Sequence, residues 1–152
     1  MSERQAERVV VVTMRLLAAA FAIVGILFIT TPDGVIATID DSGAALGDFA
    51  PGAGSDQKLW LGLAFAYMVV ITGIALIVQA DVARFRPLLL LLAAGKAASS
   101  LAAGAFYLFD EDAFAYLLNF VVDGSLVGVA FACWVLAGRL ERSRALAPTA
   151  PG

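Results

Sequence analysis

Residues 87–109 read PLLLLLAAGKAASSLAAGAFYLF, and this stretch decides the fold. Roughly 20 apolar residues in an α-helix, each rising about 1.5 Å, cross a hydrocarbon core of ~30 Å. The run is that long. Its one charge, Lys96, stands near the middle, followed by Ser99 and Ser100. A central lysine costs ~3 kcal/mol on insertion scales, and the leucines at 88–92 return ~2–3 kcal/mol. The segment therefore inserts, but its lysine needs a partner inside protein.

The same pattern governs the whole chain. Of its 152 residues, 61% are hydrophobic, against ~45–50% in soluble domains, and the charges gather between apolar runs. Four runs, at about residues 9–30, 58–80, 87–109 and 113–137, predict an all-α integral membrane protein. The expected fold is a single domain, residues 1–144, built as a four-helix transmembrane bundle, with residues 145–152 (ALAPTAPG) a disordered tail. The first run exceeds the ~7–15 apolar residues of a signal-peptide core and no A-x-A site follows it, so it reads as an uncleaved helix. Arg15, a turn or two inside that helix, is expected to snorkel toward the headgroups.

Orientation follows from the basic residues. Arg4, Arg8, Arg84, Arg86, Arg139, Arg142 and Arg144 fall on one side of the runs, and only Lys58 flanks the other. The positive-inside rule then places both termini in the cytoplasm, with an antiparallel up-down arrangement between them. Arginine over lysine in an Ala- and Gly-rich chain suits a bacterial inner membrane. Trp60, Tyr107 and Trp134 lie near run ends, as interfacial belt residues do.

The external loop, residues 31–57, carries Asp33, Asp40, Asp41, Asp48 and Asp56 with no basic residue. Within it, Pro32 to Ile39 can form a short interfacial helix with Val35, Ile36 and Ile39 on one side; Gly34 counts against it. The aspartates do not follow the spacing of a calcium loop, so the expectation is a solvated acidic loop.

Candidate site residues cluster in the last two runs. Lys96, Ser99 and Ser100 share a broad face of one helix, and Tyr116, Asn119 and Asp123 form a polar stripe on the next. The short acidic turn Asp110, Glu111, Asp112 makes these helices neighbours. Lys96 lies ten residues from Arg86, ~15 Å, and Asp123 sixteen from Arg139, ~24 Å. That offset predicts a pair bridged by a hydroxyl or water rather than a direct contact. Tyr67 and Thr72 in the second run can face the same core. Gly124 and Gly128 match the GxxxG dimer motif, a frequent coincidence in a chain with 14 glycines.

The absences narrow function. Without histidine, and with one cysteine (Cys133), the chain lacks His-ligated metal, His acid–base and paired-thiol chemistry. No catalytic, cofactor-binding or metal-binding residue is expected, and no nucleic-acid partner. Buried polar residues in membrane bundles act as packing glue at ~0.6–2 kcal/mol per bond, or mark an ion path or ligand counter-ion. The leading expectation is a non-enzymatic accessory or scaffold subunit; the alternative is a small transporter or ligand-binding protein using Lys96 and Asp123. The bilayer is the expected partner, with a protein subunit or a second copy left open. In size and span number the chain resembles small bacterial four-helix membrane proteins of the DoxX-like kind, a likeness of shape that implies no activity. It differs from small multidrug exporters, whose first span carries an acidic residue, and from quinone-linked disulfide enzymes, which need paired cysteines.

Overall fold

A computed structural model describes residues 2–52 and 58–146 as an all-helical chain. Its helices are α1 (Glu3–Thr30), α2 (Pro32–Ala44), α3 (Lys58–Ala80), α4 (Arg86–Phe109) and α5 (Phe114–Leu146). Four of them, α1, α3, α4 and α5, are long and apolar enough to cross a membrane. Local chemistry sets several of the ends. Ser2 and Gln5 form a capping box at the start of α1: the Ser2 Oγ accepts from the Gln5 backbone N–H at 3.3 Å, and the Gln5 Oε1 accepts from that of Ser2 at 2.9 Å. Pro32 and Pro87 stand in the first turns of α2 and α4, where a missing N–H removes no helical bond.

One apolar core joins the four long helices. The α1 face Ala6, Val10, Met14, Ala18 and Phe21 repeats every three to four residues and packs with Ile71, Ile74, Ala75 and Val78 of α3. Leu89, Leu92 and Ala93 of α4 and Ala130, Cys133, Ala137 and Leu140 of α5 complete it. The tightest pairings are α1 with α3 and α4 with α5. At Gly104 an added Cβ would lie 2.8 Å from the Phe120 ring, so the missing side chain sets how closely α4 meets α5. Outside, the surface is itself apolar: Leu16, Ile23, Val70, Leu91, Leu101 and Val121 are each more than half exposed. Water does not favour such a surface, and a bilayer does.

One expectation about boundaries needs correction. The loop 31–57 holds a helix that runs beyond Ile39 to Ala44, because tertiary packing overrides Gly34. Val35, Ile36 and Ile39 are half-buried, and Gly43 lies so close to Phe114 that a Cβ there would sit 2.6 Å from the Phe114 Cβ. The chain then folds back. The Gly52 N–H donates to Asp40 Oδ1 at 2.9 Å, and the Phe49 and Phe114 rings lie 5.2 Å apart. Residues 53–57, Asp56 among them, lie outside the described residues.

The last apolar run, about residues 113–137, sits within a longer helix. Helix α5 continues to Leu146, because Leu140 extends the buried stripe and the arginines, leucine and glutamate there are good helix formers. Ala145 and Leu146 of the expected disordered tail are helical; residues 147–152 lie outside the described residues.

Candidate functional site

Lys96 belongs to the buried row Leu89, Leu92, Ala93, Lys96, Ser100, Ala103 on α4. The spacing is that of a core-facing stripe, so the backbone aims the lysine inward as it aims the leucines. Asp123 lies on the buried row of α5 that continues with Ala130, Cys133 and Ala137. The Lys96 Nζ donates to the Asp123 Oδ1 at 2.9 Å, with the side chains only 3% and 7% exposed. The ammonium also stands 4.8 Å from the Phe21 ring centroid and 5.4 Å from that of Tyr67. Both distances fall within the ~6 Å over which an aromatic face attracts a cation. Phe21 comes from α1, Tyr67 from α3, Lys96 from α4 and Asp123 from α5. Each long helix contributes one member.

The contact is direct, which overturns the expected bridged pair. The depth argument sets Arg86 level with Arg139, but Arg86 lies against Gly138 and reaches back to the Trp134 carbonyl, so Arg139 stands beyond it and the true offset is smaller. Lysine's four-carbon stem spans the axial offset that remains. Charges withdrawn from water this far are costly singly, several kcal/mol each, and tolerable together only with good geometry. The aromatic rings supply part of the compensation that water would otherwise give.

The other candidates divide. The Ser100 hydroxyl, one turn from Lys96, donates to the Phe120 carbonyl at 2.8 Å and lies against Gly124. Ser99 accepts from the Asn119 amide at 3.2 Å, a pair on the exposed side of the bundle rather than in its core. The stripe Tyr116–Asn119–Asp123 is thus split: only Asp123 turns fully inward, and the Tyr116 ring instead packs 5.6 Å from Phe106. The Tyr67 hydroxyl and the Thr72 hydroxyl are enclosed, and neither has a hydrogen-bond partner among the described residues. Tyr67 joins the cluster through its ring. No hydrogen bond links Thr72 to it. Gly124 of the GxxxG match is taken up within the chain by Ser100, whereas Gly128 faces open space.

Sequence reasoning missed Phe21. It reads as one more apolar residue at helical spacing, and nothing local distinguishes it from Phe28. Trp134 was assigned to the interfacial belt; it also lies beneath the Arg86 guanidinium, 4.1 Å from ring centroid to Cζ. Among the described residues no three His, Cys, Asp or Glu side chains converge to hold a metal ion. What the cluster offers chemically is a neutralised charge pair with little exposed surface, placed where four helices meet.

No protein-family model, curated protein or solved structure matches the chain.

Proposed function

We propose that the chain is a small multi-pass protein of the bacterial inner membrane that works without catalysis, as an accessory or scaffold subunit. Its four long helices cross the bilayer up and down, with both termini cytoplasmic. Supporting this are the apolar outer surface and the basic residues, gathered at the helix ends on one side. The contacts between α4 and α5 support the up-down order: Arg86 meets Glu141, Lys96 meets Asp123 and Phe106 meets Tyr116.

One observation carries the scaffold reading, the mutual neutralisation of Lys96 and Asp123 in a closed setting. A transport or binding site must expose its charge to a substrate. Here the ammonium is covered by two rings and bound to its counter-ion. Such a pair fixes how the helices register and leaves the outer faces for a partner. The enclosed, unbonded hydroxyls of Tyr67 and Thr72 favour the alternative, a ligand-binding or transport site, because they are polar atoms awaiting a hydrogen bond.

Cysteine accessibility in sealed vesicles separates the two. In a Cys133→Ala background, Thr72→Cys and Ser100→Cys should resist a charged, membrane-impermeant thiol reagent from either side. Rapid labelling at either position reveals a water path to the pair, and the scaffold reading then gives way to a binding one.

A further inference from the structure

Where α4 begins, Arg86 reaches across to α5. Its Nη1 donates to the Glu141 carboxylate at 2.7 Å, its Nε–H donates to the Trp134 carbonyl at 3.1 Å, and its plane lies on the Trp134 ring. Gly138 makes this possible, since a Cβ there would stand 2.7 Å from the Arg86 Nη2. One turn further, the Arg142 Nε–H donates to the Gly138 carbonyl at 3.1 Å, and its terminal nitrogens make no hydrogen bond among the described residues. Arg86, Trp134, Val135, Gly138 and Arg142 together line an open groove of about 360 Å³, within the ~300–1,000 Å³ of small-ligand sites.

The groove is amphipathic. Trp134 and Val135 give it apolar walls, and the guanidinium groups of Arg86 and Arg142 give it cationic ones, Arg86 lying over the Trp134 ring. Glu141 balances one arginine; Arg142 has no ion pair among the described residues, and Arg139 lies exposed on the same stretch of α5. Side chains thus hold an arginine fork in place beside a tryptophan, with a net positive charge facing out. Guanidinium donors in this setting match phosphate oxygens, and an apolar neighbour matches the first acyl carbons.

We propose that this groove binds the headgroup phosphate of an anionic phospholipid of the cytoplasmic leaflet, with Arg86 pre-set by Glu141 and Trp134, and Arg142 closing on the phosphate from the outer side. This rests on the membrane-spanning reading above. Lipid binding here ties α4 to α5 at the end opposite the acidic loops and links the bundle to the composition of its bilayer.

The test uses the full chain in detergent, with native mass spectrometry during titration by phosphatidylglycerol or phosphatidylcholine. Phosphatidylglycerol should bind first and more tightly, saturating at one lipid per chain. Arg142→Gln, a change at an exposed position, should weaken that binding about fivefold. Arg8→Gln, which removes a charge from the same side elsewhere, should leave it unchanged. Arg86→Lys keeps the charge but loses the fork, and should also weaken binding. Equal affinity for both lipids, an equal loss in Arg8→Gln, or displacement of the lipid by equimolar inorganic phosphate overturns the proposal. An alkaline carbonate wash of native membranes distinguishes the two levels. Release of the chain by the wash sinks the membrane-spanning reading, whereas retention without lipid preference sinks only the groove.

Discussion

Replacing Lys96 by Met removes the ammonium while keeping most of the stem's volume. What remains is Asp123, 5% exposed, with no cation beside it. Breaking a buried pair by deleting one partner typically costs ~3–5 kcal/mol. The lost attraction to the Phe21 and Tyr67 rings, at 4.8 and 5.4 Å, belongs to the same event and adds ~0.5–2 kcal/mol. Lys96→Met should therefore destabilise the chain by ~4–7 kcal/mol. Asp123→Asn alone should also destabilise it, because a neutral amide replaces the lysine's counter-ion. Combined, the two changes leave no buried charge, and the double variant should recover much of the loss, with a coupling of ~2–3 kcal/mol. Reversible unfolding in bicelles or mild detergent, followed as a full double-mutant cycle, measures this. Single changes that are silent, or effects that add within ~0.5 kcal/mol, would refute the reasoning, since side chains in contact at 2.9 Å in a closed core must couple.

Further outcomes follow from the packing and the proposed topology. Gly104→Val should destabilise by ~1–3 kcal/mol through its clash with Phe120, and Phe120→Ala should partly relieve it; Gly128→Val, facing open space, should be near neutral in the same unfolding assay. Glu141→Ala should cost no more than ~1 kcal/mol, because its side chain is 57% exposed in the Arg86 pair. Cysteine placed at Ser42 should be labelled by an impermeant reagent from outside the cell and at Ser143 only after lysis; the reverse pattern would invert the topology. Gly43→Val should loosen α2 from Phe114, which hydrogen exchange would register as lost protection across residues 32–44.

Hydropathy alone is enough to locate the four long helices, because spanning length and apolar content are properties of each segment by itself. Lys96 and Asp123 stand out for a similar reason: a charge inside an apolar run is conspicuous. What hydropathy could not supply is tertiary. The end of α2 depends on Gly43 meeting Phe114, and that of α5 on Leu140 joining a core made by other helices. Nor does the stripe Tyr116–Asn119–Asp123 announce that Asn119 turns outward to Ser99 while Asp123 turns inward. Phe21 was invisible as a cation partner because its role exists only where four helices converge. The bridged pair fails on its reference point: Arg86 and Arg139 are not level, because Arg86 packs against Gly138 and the Trp134 carbonyl.

The central claim, a direct Lys96–Asp123 contact closed to water, is open to one decisive measurement. Solid-state NMR in lipid bilayers, with nitrogen-15 at the lysine Nζ and carbon-13 at the aspartate Cγ, reads their separation through dipolar recoupling. With Nζ and Oδ1 2.9 Å apart, the account predicts a Nζ–Cγ distance under about 4 Å and no exchange cross-peak to water. A distance beyond about 6 Å, or a strong water cross-peak at either nucleus, contradicts it.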